Sequence, residues 1–184
     1  MIKLYVRKKM GYQLTSLGNL PIENDVDLYI FVVNGNWHGG RYEILEKNFS
    51  NIAQQIGARS VIAKGFEENL WSTEICRKYL GKSYDDLFKH LPALLLTDSH
   101  PDRIREDSLR LLIPLRNAEE RFGDLESFFR SLSKFAKFGN SEFLDNFSDQ
   151  RDWKRAGNDI IDLKPNFFGI GINLNEFIRR FRRE

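Results

Sequence analysis

Residues 27–41 read DLYIFVVNGNWHGGR, and this stretch decides the fold of the chain. Six of its first eight residues are apolar, the pattern of a strand buried on both faces in the centre of a sheet. The glycine-rich turn NWHGGR, residues 36–41, follows this strand and opens a long amphipathic segment. Loops held by a rigid scaffold often carry function, so His38 and Arg41 are the first candidate functional residues.

The segment after the turn has the periodicity of a helix. Apolar residues recur at steps of three and four through residues 41–56, and Gly57 is suited to end the helix in a left-handed conformation. Residues 59–63 predict a short strand. The apolar spacing from Asn69 then predicts a second helical segment that stops at Gly81.

Two further strands and a helix complete the predicted core. Residues 91–98 predict a strand with a proline at its entrance, residues 108–115 a strand at the edge of the sheet, and residues 124–138 a strong helix. The connections are long enough for crossovers, so the first three strands, 27–34, 59–63 and 91–98, should be parallel. The last two strands are joined by a loop alone and should be antiparallel.

The two ends of the chain extend this core. Residues 2–6 alternate between apolar and polar and predict an N-terminal strand, so residues 1–138 are expected to form one domain with a strand extension. Residues 139–184 are expected to form a C-terminal extension. It consists of a strand or hairpin at residues 160–174 and a short basic helix.

The composition predicts a soluble, cytoplasmic protein. The 184 residues are 41% hydrophobic and include 15 phenylalanines, enough for a proper core. The net charge of +2 divides into +4 over residues 1–9, +3 over residues 179–184 and about −5 between them, which argues against a broad nucleic-acid surface. Cys76 is the single cysteine, and the chain has neither an apolar run of membrane-spanning length nor a signal-peptide pattern.

Two segments resemble the thioredoxin-like superfamily. WHGGR, residues 37–41, stands where thioredoxins have the turn WCGPC, and LPALLLTD, residues 91–98, is similar to the strand that thioredoxins begin with a cis-proline. The resemblance covers residues 27–136. It implies a thioredoxin-like three-layer α/β fold, with a mixed sheet, helices on both faces and a cis peptide bond before Pro92.

The departures from this family pattern exclude its redox chemistry. His38 and Arg41 occupy the two cysteine positions, whereas thiol–disulfide exchange needs a thiolate and a resolving thiol. Cys76 lies in the predicted second helical segment, where we expect a half-buried small side chain. The single cysteine therefore excludes dithiol–disulfide oxidoreductase activity, no cofactor is expected, and the sequence favours a protein that is not an enzyme.

The turn retains features that could bind a ligand. A helix start attracts anions, and Arg41 is unfavourable there unless it has a partner. The resemblance implies that the backbone at Leu91, next to Pro92, pairs with extended peptides. Either the turn is vestigial, with glycines kept only for their backbone angles, or it forms a small peptide- or anion-binding groove. The residues of that predicted groove are Trp37, His38, Gly39, Gly40, Arg41, Leu91 and Pro92.

One polar loop has the composition of a metal site. Asp98, His100 and Asp102 alternate in the sequence TDSHPD and could bind a divalent cation. This loop follows the strand that Pro92 begins, so it should lie at the opposite end of the sheet from His38. Clusters of Asp, Ser and Pro form turns, which is the preferred interpretation, and no metal site is predicted.

The C-terminal basic helix is the second candidate binding feature. Its apolar residues are interspersed with arginines, so it either packs on the main domain or docks on a partner protein. The residues predicted for docking are Phe177, Arg179, Arg180, Phe181, Arg182 and Arg183.

These observations favour a redox-inactive thioredoxin-like module that binds a protein or peptide, as an accessory component of a multi-protein bacterial system. Two alternatives stay open. The first is an enzyme or binder that acts on an anionic small molecule through His38 and Arg41. The second is a protein that binds nucleic acid through its basic termini.

Overall fold

The structure is a computed structural model that describes residues 10–35, 39–81, 84–105, 108–139 and 142–146. Three predicted elements lie outside these residues: the strand at 2–6, the strand or hairpin at 160–174, and the C-terminal basic helix.

The described chain forms a five-stranded mixed sheet. Its strand order is β1-β3-β2-β4-β5, in which β1, β3 and β2 are parallel to one another and β4 is antiparallel to both β2 and β5. The strands are β1 (Gly11–Leu14), β2 (Leu28–Val33), β3 (Ser60–Gly65), β4 (Ala93–Thr97) and β5 (Arg110–Pro114).

Helices lie between β2 and β3, between β3 and β4, and after β5, so the predicted α/β class is confirmed. Short 3-10 turns lie at Leu17–Asn19 and Phe88–His90, and α2 continues as a π-helical turn over Cys76–Leu80. The α-helices are α1 (Gly40–Gln55), α2 (Glu68–Ile75), α3 (Tyr84–Leu87), α4 (Leu115–Phe122), α5 (Leu125–Phe138) and α6 (Glu142–Asp145).

β2 lies at the centre of the sheet, as its apolar sequence predicts. All six of its residues are buried. Because side chains alternate along a strand, Ile30 and its neighbours on one face pack with residues of α1, α4 and α5. Phe31 and its neighbours on the other face pack with residues of α2 and the π-helical turn. The sheet therefore separates two hydrophobic clusters.

The prediction that the third strand runs parallel to the first two is wrong. β4 is antiparallel to β2, with Ala93 opposite Val33, so it begins at the edge of the sheet where β2 ends. The expected antiparallel pairing of β4 and β5 is confirmed, and β5 is an edge strand of the described sheet.

The chain between β3 and β4 runs along the sheet and comes back, whereas a single crossing would have produced a parallel strand. The first pass begins near Ser72, at the exit of β2, and reaches Tyr79, whose hydroxyl donates to the Ser99 carbonyl beyond the far end of β4. The chain then returns through α3. There the Tyr84 hydroxyl lies so close to Gly35 that a Cβ atom on Gly35 would be 1.7 Å from it.

Glycines end the helices where the sequence predicts. Gly57 and Gly81 have φ angles of +81° and +59°, which an L side chain adopts only with strain. At Gly57 a Cβ atom would also approach the Lys137 backbone to 3.3 Å, so glycine allows α5 to pack closely. The sequence did not predict β1, α4 or α6. None of the described helices is long and apolar enough to cross a lipid bilayer.

Candidate functional site

A cavity of about 740 Å³ opens where β2 ends and β4 begins, and we call it the Pro92 groove. The start of α1 forms one side, with Gly39, Gly40 and Arg41, and Leu91 and Pro92 form the other. The peptide bond between Leu91 and Pro92 is cis, as the resemblance implies. Five of the seven residues predicted for a groove thus line one cavity. Trp37, His38 and the six residues of the predicted docking helix lie outside the described residues.

The antiparallel direction of β4 brings these residues together. β2 leads into the turn before α1, and β4 begins beside the end of β2. β5 ends at the same edge, where the Leu115 backbone N–H donates to the Pro92 carbonyl at 2.9 Å and starts α4. The Pro92 groove therefore lies among the starts of α1, β4 and α4.

Seven further residues line the Pro92 groove, and the sequence did not place them in it. The sequence held a signal for Pro114, Arg116 and Glu119. The predicted antiparallel pairing of β4 and β5 brings the end of β5 and the residues after it next to Pro92. The additional lining residues are Ile44, Phe88, Lys89, His90, Pro114, Arg116 and Glu119.

Gly39 and Gly40 have no conformational need to be glycine. Gly39 has φ −115° and ψ 154°, an ordinary extended conformation, and Gly40 begins α1 without a positive φ. Apart from the adjacent residues and the backbone of α1, a Cβ atom on either residue would meet no atom of the described residues within 4 Å. Backbone angles therefore do not explain why these two residues are glycine, and the choice between a vestigial and a binding turn stays a matter for experiment. Their small size leaves the mouth of the groove open.

Arg41 has the partner that its unfavourable position at a helix start suggested. Its Nε atom lies 2.6 Å from Oε2 of Glu119 on α4. The two side chains are 44% and 36% exposed, so water reaches both. This ion pair bridges the two helices at the mouth of the Pro92 groove.

The backbone N–H of Leu91 already takes part in a hydrogen bond within the fold. Its N–H donates to the Phe88 carbonyl at 3.2 Å and closes the 3-10 turn, which leaves the Phe88 ring 43% exposed and His90 only 5% exposed. The resemblance implies that extended peptides pair with this backbone. Such a peptide would pair with the Leu91 carbonyl or displace the hydrogen bond to Phe88.

A buried polar network fixes the exit of β2, just before the turn. The Ser72 hydroxyl accepts from the Asn34 N–H at 2.9 Å and donates to the Asn34 carbonyl at 2.6 Å. The Asn34 side-chain amide donates to Glu68 at 2.6 Å, and the Tyr42 hydroxyl donates to the other oxygen of Glu68. Burial is the main cause that raises the pKa of the Tyr42 hydroxyl well above 10.0, and the hydrogen bond to Glu68 is the second cause. The network ties β2, α1 and α2 together.

Cys76 is more deeply buried than the half-buried position that the sequence predicted. Its side chain is 0% exposed and packs in the cluster that contains Trp71 and Tyr79. Burial raises the pKa of the Cys76 thiol to about 11. The thiol is therefore protonated at neutral pH and shielded from solvent, whereas reactive cysteines are accessible thiolates.

The loop with Asp98, His100 and Asp102 uses its polar atoms within the fold. His100 Nε2 lies 3.1 Å from the Leu20 carbonyl, and His100 Nδ1 accepts from the Asp102 N–H at 3.1 Å, so Nε2 carries the proton in the neutral ring. Asp98 accepts from the Leu109 N–H at 2.9 Å. Among the described residues, no group of three His, Cys, Asp or Glu side chains could hold a metal ion. The turn-forming interpretation agrees with these bonds.

Comparisons of the chain with models of protein families, with curated proteins and with solved structures found no match.

Proposed function

We propose that this chain is a redox-inactive thioredoxin-like module that binds an extended segment of a partner protein in the Pro92 groove. The observation that carries this proposal is the juxtaposition of Gly39, Gly40 and Arg41 with Leu91 and Pro92 around one open cavity. The mixed sheet and the helix packing on both of its faces agree with the fold that the resemblance implies.

The Pro92 groove combines the two kinds of surface that peptide sites use. Ile44, Phe88 and Leu91 are partly or fully exposed apolar side chains that can contact the side chains of a peptide. Arg41 and Lys89 are exposed and supply hydrogen-bond donors at the rim. An extended peptide would gain affinity from backbone pairing at Leu91 and specificity from these side chains.

The groove is held in shape before a ligand arrives. Phe88 packs edge-on against Tyr84, with ring centroids 6.0 Å apart, and the network around Asn34 fixes the exit of β2. A preformed site loses less conformational entropy on binding. The buried thiol of Cys76 agrees with a binding role that does not depend on sulfur chemistry.

The test is a peptide selection against the full chain, followed by a variant that fills the groove. Peptides selected from a displayed random library are synthesised, and their affinities are measured by fluorescence anisotropy. Gly40→Leu places a large side chain where a Cβ atom meets none of the described residues beyond its own helix, so the variant should fold. It should lose peptide binding by tenfold or more, at roughly 1.4 kcal/mol per tenfold.

Gly18→Leu is the matched control for the filled groove. Within the described part of the chain, and apart from the adjacent residues, a Cβ atom on Gly18 would meet the Ser16 hydroxyl alone, at 3.9 Å, and Gly18 does not line the Pro92 groove. This variant should bind peptide as the wild type does. Failure to select any peptide, or equal binding by the two leucine variants, would contradict the proposal.

A further inference from the structure

The charged side chains that line the Pro92 groove are mostly positive. Arg41, Lys89 and Arg116 stand against one carboxylate, Glu119, so the lining residues carry a net charge of +2. All three cationic side chains belong to exposed residues. A surface with this charge attracts carboxylates and repels segments rich in lysine or arginine.

Glu119 holds Arg41 in a contact that a ligand could replace. The Nε–Oε2 distance is 2.6 Å, but the two side chains are 44% and 36% exposed. An ion pair so exposed contributes little to stability, because water and salt compete for both partners. A carboxylate from a ligand can therefore take the place of Glu119 with little loss of folding free energy.

We propose that the Pro92 groove selects acidic peptides, in which an Asp or Glu side chain binds Arg41 in exchange for Glu119. The inference rests on the proposed function, because it names the class of peptide that the same groove takes. Ile44 and the exposed ring of Phe88 lie in the same groove and accept large apolar residues next to the acidic one. Glu119 acts as an internal competitor that a ligand carboxylate must displace from Arg41, and it thereby weakens binding.

Three synthetic peptides provide the probe. They share one sequence of alternating leucine and a variable residue, which is Asp in the first, Asn in the second and Lys in the third. Binding to the full chain should follow the order Asp, Asn, Lys, and the advantage of the Asp peptide should shrink as salt is raised. No preference for the Asp peptide at low salt would overturn the inference.

Two groove variants separate the roles of Arg41 and Glu119. Arg41→Gln should weaken binding of the Asp peptide about tenfold, the effect of losing a charge-assisted hydrogen bond, and should leave the Asn peptide nearly unchanged. Glu119→Gln removes the internal competitor and should strengthen binding of the Asp peptide roughly threefold. A weaker or unchanged affinity in Glu119→Gln would contradict the exchange.

Asp27→Asn is the matched control for Glu119→Gln. Asp27 forms an ion pair with Arg59 that has the same 2.6 Å distance and similar exposure, 35% and 55%, but neither residue lines the Pro92 groove. This variant changes the net charge of the chain by the same amount and should leave peptide affinity unchanged. An equal gain in both variants would mean that overall charge, and not exchange at Arg41, controls binding.

The outcomes distinguish failure of the inference from failure of the proposed function. If the Asp and Asn peptides bind equally and Gly40→Leu abolishes both, the acidic preference is wrong while the peptide groove stands. If neither these peptides nor library-selected ones bind, the proposed function fails as well. Self-association of the chain that Gly40→Leu abolishes would identify a second copy as the occupant and would overturn the inference.

Discussion

At the scale of single residues, Cys76 allows a direct test of the proposal that the chain is redox-inactive. The thiol is 0% exposed, and its pKa is raised to about 11 by burial. We expect it to resist a soluble thiol reagent at pH 8 in the folded protein and to react at once in denaturant, because both thiolate formation and access are suppressed by the fold. The measurement is the time course of thiol labelling.

Ser50→Cys provides the positive control for thiol labelling. Ser50 is exposed on α1, so a cysteine there should react rapidly in the folded protein while Cys76 does not. The folded variant should therefore incorporate one label, and the denatured variant two. Rapid labelling of the folded wild type would show that Cys76 is accessible and would reopen thiol chemistry for this chain.

Arg41 and Glu119 show how far residue types alone can predict the candidate site. An arginine at a helix start is unfavourable for the helix dipole, and this predicted that Arg41 has a partner. The identity of the partner could not be predicted, because Glu119 lies 78 residues further along the chain, on a helix that the sequence did not reveal. The charge of Arg41 at a helix start thus predicts that a partner exists, but only the tertiary structure shows that the partner is Glu119.

At the scale of elements, long amphipathic segments were predictable and short ones were not. The apolar stripe predicted for residues 124–138 is buried in α5. The residues of β2 are all buried as well, and α1 buries Tyr42, Leu45 and Ile52 of its predicted stripe. β1 escaped prediction because its four residues GYQL have little periodicity of their own. It exists through its pairing with β3, a strand about 50 residues away, which no local pattern encodes.

The start of α5 yields a prediction about helix capping. Asp124 accepts hydrogen bonds from the Ser127 N–H at 2.6 Å and from the Ser127 hydroxyl at 3.1 Å. These bonds lower the pKa of Asp124 below its ordinary value of 3.8. Asp124→Ala should lower the melting temperature at pH 7, because the helix loses its N-cap, whereas Asp124→Asn should retain most of the stability.

The pH dependence of this cap follows from the sign of the pKa shift. A carboxylate with a lowered folded pKa stabilises the fold above its unfolded pKa, and this contribution is lost as the pH falls through the folded value. The difference in melting temperature between wild type and Asp124→Ala should therefore shrink as the pH is lowered from 5 toward 2, by the part of the cap that depends on the charge. A constant difference across this range would show that the charge of Asp124 does not contribute.

At the scale of the whole molecule, topology decides whether the candidate site exists. The prediction of a parallel third strand treated the chain between β3 and β4 as one crossover, whereas the chain runs along the sheet and comes back before β4 begins. Hydrophobic periodicity predicts where helices lie, but it does not predict the direction in which the chain runs after them. Only the antiparallel direction places Pro92 beside the start of α1, so the Pro92 groove follows from a feature that local patterns cannot specify.

Tyrosines distributed over the whole fold couple its stability to alkaline pH. Burial is the main cause that raises the pKa of Tyr12, Tyr29, Tyr42, Tyr79 and Tyr84 above 10.0. Because these pKa values are higher in the folded protein, only the unfolded chain releases the tyrosine hydroxyl protons at a pH just above the ordinary tyrosine pKa. The stabilisation is complete below pH 10 and is lost as the pH rises toward the folded pKa.

Tyr79 allows this coupling to be measured for one group. Its side chain is 1% exposed, and its hydroxyl donates to the Ser99 carbonyl at 2.8 Å. Between pH 10 and 11.5, the free energy of unfolding should fall less steeply in Tyr79→Phe than in wild type. The difference in slope should approach about 1.4 kcal/mol per pH unit at the upper end of this range, since one fewer proton is released on unfolding. Urea unfolding followed by circular dichroism measures both slopes. Equal slopes would mean that Tyr79 ionises within the folded protein.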